Sequence, residues 1–163
     1  ILEYCKIYDN DSSYGNQLNG QVITIINRSE VVGRPLAALL ANDGARVYSV
    51  DVSDILVFDR GVNLELRKYR VRDCGEKLDD ILAKSDVVVT GVPNANYKVA
   101  TKSLKEGVIA INFSSCMNFE DTVKDRAVIF VPAIGKVTTT MLQRNLLRLR
   151  RHATNWKINT KRV

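Results

Sequence analysis

The residues best placed to do chemistry lie in one stretch, Gln21 to Asp51, QVITIINRSEVVGRPLAALLANDGARVYSVD. Asn27, Ser29 and Gly33 stand where a G-x-G-x-x-G turn has its glycines, with one residue added before the last. Asn tolerates a positive φ better than most residues, and Ser is small, so the turn remains feasible. Asp51 follows at the distance, roughly 20 residues, at which an acid grips an adenosine ribose. A carboxylate there accepts hydrogen bonds from both ribose hydroxyls and repels a 2′-phosphate, which favours NAD over NADP. Arg28, Ser29 and the start of the next helix are the expected pyrophosphate contacts, because helix-start amides lack internal partners and the helix dipole adds positive potential. An ordinary strand-to-helix loop has the same local pattern, and the turn alone leaves both readings open.

Holding those groups requires a strand, a tight turn, a helix and a second parallel strand. The sequence supplies them in order: Val22 to Ile26, Asn27 to Glu30, a helix with Gly33-Arg34-Pro35 and Leu36 to Ala41, and Arg46 to Val50. A parallel pair needs a crossover of about a dozen residues, and a helix provides it. Further apolar runs, 86–90, 108–113 and 127–131, alternate with short helical patterns and one longer helix from Thr138 to Arg148. This predicts an α/β fold: a Rossmann-type open parallel sheet with helices on both faces, in one domain. Ile1 to Tyr8 reads as the end of a helix and Asp9 to Gly20 as a loop or hinge. Residues 21–151 form the predicted Rossmann domain and 152–163 a basic tail. Val52 to Gly61 reads as a loop. Val62 to Asp73 reads as a half-exposed strand or bulged hairpin whose edge would suit a dimer contact. The loops at the carboxyl ends of the strands gather on one edge, where such sheets bind ligands. That places Val52, Gly91, Phe113 and Thr138 beside the turn and Asp51. Gly91 fits either a close backbone approach to a ligand or a simple turn.

Composition excludes several classes. The 163 residues suit one domain, and no apolar run approaches the ~20 residues that span a bilayer. The net charge of +6 is local: residues 144–163 carry seven basic side chains and no acid, leaving 17 basic against 18 acidic elsewhere. A solvated helix end and tail explains that excess without nucleic acid. The three cysteines form no zinc or CxxC spacing, and free thiols in a reducing compartment are expected. His152 is the only histidine, with no partner acid or serine nearby in sequence, so no catalytic triad and no metal site is expected.

The run Asn27-Arg28-Ser29-Glu30-Val31-Val32-Gly33-Arg34-Pro35 resembles the G-R-S-x-x-V-G-x-P turn of the methylenetetrahydrofolate dehydrogenase/cyclohydrolase family. Gly91-Val92-Pro93 resembles that family's G-x-P loop. Ile134-Gly135-Lys136-Val137-Thr138 resembles a shortened form of its P-G-G-V-G-P-x-T stretch. The shortening and Asn27 are similar to the fungal NAD-dependent branch, and the likeness runs from Ile1 to Arg151. It implies an NAD-binding lobe, with nicotinamide near Gly91, Phe113 and Thr138. It implies hydride transfer from a folate substrate in one-carbon metabolism, a homodimer and a cytoplasmic setting. The family's Tyr-x-x-x-Lys motif has no match here, so no catalytic residue is assigned. The catalytic lobe is expected outside this chain, which alone would be inactive. Two rivals stay open: a non-catalytic nucleotide-binding or assembly module, and an S-adenosylmethionine-dependent methyltransferase, which Pro35 and the 135–138 loop fit poorly.

Overall fold

In the computed structural model the backbone is described for residues 1–160 and the side chains for residues 1–153. The chain divides into two compact units, Ile1–Ala133 and Ile134–Val163.

The first unit is built on a seven-stranded sheet. In chain order its strands are β1 (Val22–Ile26), β2 (Arg46–Val50), β3 (Ile55–Asp59), β4 (Arg70–Asp73), β5 (Val87–Thr90), β6 (Val108–Asn112) and β7 (Ala127–Val131). Their order across the sheet is β4-β3-β2-β1-β5-β6-β7. Strands β2, β1, β5, β6 and β7 run parallel, and β3 and β4 are antiparallel additions. Ile23 and Ile25 of β1, Val87 of β5 and Val108 of β6 are buried, as expected of strands covered on both faces. Each such side chain contributes about 1.5–3 kcal/mol through burial.

From β1 the chain steps outward to β2 in one direction, and from β5 through β6 to β7 in the other. Right-handed crossovers then put the connecting segments on opposite faces. Helix α1 (Gly33–Asn42) packs along β1, β2 and β3, burying Ala37, Leu40 and Ala41. Helix α2 (Leu78–Leu82), the residue that follows the 3-10 turn Thr101–Ser103, and the 3-10 turn Asp121–Asp125 supply Leu82, Leu104 and Val123 to a cluster with Ile26, Val50, Val88 and Ala110. The direction of winding reverses between β1 and β5. A crevice therefore opens at their carboxyl ends, where ligands of such sheets sit.

Two local readings change. The expected loop at 52–61 is a tight turn, Asp51 N–H to Asp54 C=O at 2.9 Å, followed by β3. Ile55-Leu56-Val57-Phe58 is a continuous apolar run, and its pairing with β2 (Val47 with Phe58, Val50 with Ile55) buries Val57 and Phe58. The expected strand from Val62 is instead a 3-10 turn, Val62–Leu64, and only Arg70–Asp73 pairs with β3. The alternation of Leu64 and Leu66 belongs to a loop tied down by Arg60, whose Nε donates to the Leu66 carbonyl at 2.6 Å.

Residues 1–7 make one helical turn closed by a left-handed residue. Lys6 has φ 58°, its N–H donates to Glu3 C=O, and Ile7 N–H reaches back to Leu2 C=O. That pair of bonds is a Schellman closure. The second unit is described by itself. It is one helix, α3 (Gly135–Thr160), so the residues from His152 that read as a tail are helical as far as Thr160. A lone helix has no core of its own, and Met141, Leu142, Leu146 and Leu147 are exposed along it. The side chains of Trp156 and Ile158 lie outside the described residues.

Candidate functional site

At the end of β1 the chain turns sharply. Asn27 N–H still donates to Val50 C=O at 3.0 Å, holding the strand register, and the Asn27 backbone then adopts φ 92°. Asn is thus doing at this position what the first glycine of the motif does. Gly33 is required for a different reason: a Cβ there would stand 2.0 Å from the Asn27 carbonyl oxygen. The loop folds back so closely on the helix start that no side chain fits between them.

Ser29 caps that start. Its Oγ accepts from Val32 N–H and Gly33 N–H, both at 3.2 Å, and its carbonyl accepts from Arg34 N–H at 2.9 Å. Pro35 has no N–H, and Leu36 N–H bonds Val32 C=O. The first amides of α1 are therefore satisfied internally, and the helix start itself offers no free donor. Among the described residues the N–H groups of Arg28, Ser29, Glu30 and Val31 have no acceptor. The free donors for an anion sit in the loop before the helix, one step earlier than the pattern implied, with the Ser29 hydroxyl hydrogen beside them.

Asp51 ends β2 and is exposed. Its Oδ1 accepts from Val52 N–H at 2.8 Å, and among the described residues its other oxygen has no partner. Val52 is exposed beside it, and its amide fixes the carboxylate's orientation. Arg28 is not directed at the loop amides. Its guanidinium crosses to β2 and the following turn, donating to Ser49 Oγ (3.1 Å), Ser49 C=O (2.7 Å), Asp54 Oδ1 (2.8 Å) and Asp54 C=O (3.3 Å).

On the other side of the crevice, Gly91 continues the sheet by donating to Ile26 C=O at 3.0 Å. Asn27 Nδ2 donates to the Gly91 carbonyl at 2.6 Å, so the two loops are latched together. A Cβ on Gly91 would lie 1.9 Å from the Phe113 ring. The glycine leaves room for an aromatic side chain. Thr138 lies in the second unit, where its Oγ1 donates to Ile134 C=O.

The sequence reading passed over Asn112 and Asn118. Both are buried. Asn118 Oδ1 accepts from Thr90 Oγ1 (2.7 Å) and Val92 N–H (2.9 Å), and its Nδ2 donates to the carbonyls of Val92 (3.0 Å) and Asn94 (3.4 Å). Asn112 Oδ1 accepts from Asn118 N–H, and its Nδ2 reaches Ser114 and Pro132 carbonyls. These amides tie the ends of β5, β6 and β7 into one rigid rim. A polar residue closing an otherwise apolar strand, Val108-Ile109-Ala110-Ile111-Asn112, was the available signal, because buried amides are retained where their bonds are all made.

The strand order, the crevice at its reversal and the acid at the end of β2 define an α/β domain of the Rossmann type. No protein-family profile matches the chain. The chain is 56% identical over 156 residues to the methylenetetrahydrofolate dehydrogenase [NAD(+)] of Saccharomyces cerevisiae, covering 93% of this chain and 49% of that protein. It is 51% identical over 160 residues to the enzyme of the same name from Schizosaccharomyces pombe, covering 98% and 49%. The solved structure of the Saccharomyces cerevisiae NAD-dependent 5,10-methylenetetrahydrofolate dehydrogenase aligns with TM-score 0.84 at 55% identity, over 93% of this chain and 49% of that one. The bifunctional protein FolD of Clostridium perfringens is more distant, 25% identical over 146 residues. The chain is thus similar, along nearly its whole length, to NAD-dependent methylenetetrahydrofolate dehydrogenases, and spans about half the length of the relatives it matches.

Proposed function

We propose that this chain is the NAD-binding lobe of an NAD-dependent methylenetetrahydrofolate dehydrogenase, with the folate-reactive groups supplied by the part of such proteins that it does not span. The observation that carries the reading is the pairing of four free loop amides, 28–31, with the exposed Asp51 carboxylate just after the neighbouring strand, one of whose oxygens is uncommitted among the described residues. That is the donor and acceptor set a dinucleotide needs: donors for the diphosphate, an acceptor for a ribose diol. Ser29 adds a hydroxyl to the donors, and Asn27 and Gly33 give the loop its shape. Gly91 and Phe113 form the wall beside which the nicotinamide is placed. When bound, NAD supplies the hydride acceptor, C4 of its nicotinamide, for oxidation of a methylene-bridged tetrahydrofolate to the methenyl form. The chain's own work is placement and orientation.

Pairing of a second copy along β4 is our reading of the assembly. All four residues of that edge strand are exposed, and an unpaired edge offers free backbone donors and acceptors. Cys5, Cys74 and Cys116 are all unbridged, which favours a reducing compartment such as the cytoplasm.

Calorimetric titration of the chain with NAD, NADP and S-adenosylmethionine tests the reading. NAD binding in preference to the other two, weakened about tenfold or more in Asp51→Ser, is expected for loss of a charged hydrogen-bond acceptor. Equal NAD affinity in the variant removes the ribose assignment, and preference for S-adenosylmethionine replaces the reading altogether.

A further inference from the structure

Arg28 leaves the end of β1 and lies beneath the turn that carries Asp51. It bonds Ser49, two residues before that acid, and Asp54, three residues after it. Its side chain is only 12% exposed, while the Asp54 side chain is 44% exposed. In a Rossmann domain an arginine near this acid is the group that accommodates a 2′-phosphate, because a guanidinium matches phosphate geometry with two parallel bonds. Here an arginine is present at that corner and its outer nitrogen is already taken by a carboxylate. With Asp51 counted, the corner carries a single net negative charge. A 2′-phosphate, itself doubly charged at neutral pH, finds Arg28 already committed to a carboxylate.

We propose that the Arg28–Asp54 ion pair is a second specificity determinant: Asp54 occupies the arginine that would otherwise receive a 2′-phosphate, so two acids, Asp51 and Asp54, hold the lobe to NAD. The inference rests on the assignment of the adenosine ribose to Asp51. Its logic is asymmetric. Asp51 repels the phosphate directly, whereas Asp54 acts through Arg28 and does not need to touch the cofactor. The backbone of the turn is independent of the Asp54 charge, since the Asp54 carbonyl accepts both the Asp51 amide and an Arg28 nitrogen. Asp54→Asn therefore keeps the turn while freeing the guanidinium.

The test is calorimetric titration of the 163-residue chain with NAD and NADP at low ionic strength, for wild type, Asp54→Asn, Asp51→Ser, the double variant and the double variant carrying Arg28→Met. Asp54→Asn is expected to raise NADP affinity about tenfold relative to NAD, a gain that shrinks in high salt as the charge contribution is screened. In the double variant NADP is expected to gain more than the product of the single changes, because the freed Arg28 then meets a phosphate that Asp51 no longer repels. Adding Arg28→Met is expected to remove the excess over Asp51→Ser alone. An unchanged NADP:NAD ratio in Asp54→Asn, or an excess over Asp51→Ser that survives Arg28→Met, overturns the role of the ion pair while Asp51→Ser still weakens NAD. If Asp51→Ser leaves NAD untouched, the ribose assignment and this inference fall together. A urea midpoint for each variant shows that the fold is retained, and Asp54→Ser reads the same way should Asp54→Asn lose it.

Discussion

Asn27 and Gly91 meet across the crevice between β1 and β5, the side-chain amide of the first donating to the carbonyl of the second at 2.6 Å. The contact joins the loop with the free amides to the loop assigned to the nicotinamide. It also explains why the motif's first glycine is replaceable here. Asn accepts φ 92° and brings a donor that glycine lacks. Asn27→Gly keeps the backbone and removes the latch, while Asn27→Ala removes the latch and strains the turn. Urea denaturation is expected to place Asn27→Ala about 1–2 kcal/mol below Asn27→Gly, the cost of a left-handed residue without a side-chain bond. Equal stabilities would mean that the turn is not held where it is described.

Gly91→Ala drives a methyl into the Phe113 ring, 1.9 Å from its nearest atom. Overpacking of this kind typically costs about 1–3 kcal/mol. Gly91→Ala combined with Phe113→Ala is expected to be more stable than the sum of the single changes, by thermal or urea denaturation. Simple additivity would show that the glycine answers to the turn alone.

Asn118→Ala removes the acceptor of both Thr90 Oγ1 and the Val92 amide in one step, while the Val92 and Asn94 carbonyls keep the Ser114 hydroxyl and the Tyr97 amide as donors. Each buried group left unsatisfied costs about 1–3 kcal/mol, so a loss at the upper end of single-substitution effects is expected. Amide exchange should quicken first at Val92. Protection unchanged at Val92 would contradict the description of Asn118 as the support of that loop.

Asp59, buried at the amino-terminal edge of the sheet, gives the fold a pH dependence. Burial pushes its carboxyl upward. The Arg72 hydrogen bond (2.9 Å), the Gly61 amide and the charges of Arg72 and Arg46 outweigh that and hold it below the ordinary carboxylate value. A folded-state value below the unfolded one contributes stability that is fully present above the unfolded pKa, about 3.9 for Asp. It is lost as pH falls through the lower folded value. Urea midpoints from pH 6 down to about pH 2 should therefore fall more steeply for wild type than for Asp59→Asn. Parallel slopes would remove this assignment.

The sheet was legible where the sequence gives long apolar runs separated by turn residues. Val22–Ile26, Arg46–Val50 and Val108–Asn112 are all strands that run parallel, and beyond Val22 and Arg46 they bury their side chains. The β3–β4 hairpin was misplaced because the Asp51-to-Asp54 cluster reads as the start of a loop, whereas it is a tight turn reversing the chain onto the sheet. In the site, residue types located the turn and the acid, since both depend on spacing along the chain. The direction of the Arg28 side chain and the bonds from Asn118 to Thr90 and Val92 depend on contacts between residues far apart in sequence. No local pattern encodes those.

The central claim is that a dinucleotide's diphosphate lies on the loop amides 28–31 with its ribose on Asp51. Amide chemical shifts of the isotope-labelled chain, followed during an NAD titration, test it most directly. The resonances of Arg28 to Val31, Val52 and Gly91 are expected to move together along one saturating curve, and Asp51→Ser is expected to remove the response at Val52. Shifts confined to the opposite edge of the sheet, around Arg46 and Asp59 to Leu64, with residues 28–31 silent, would contradict it.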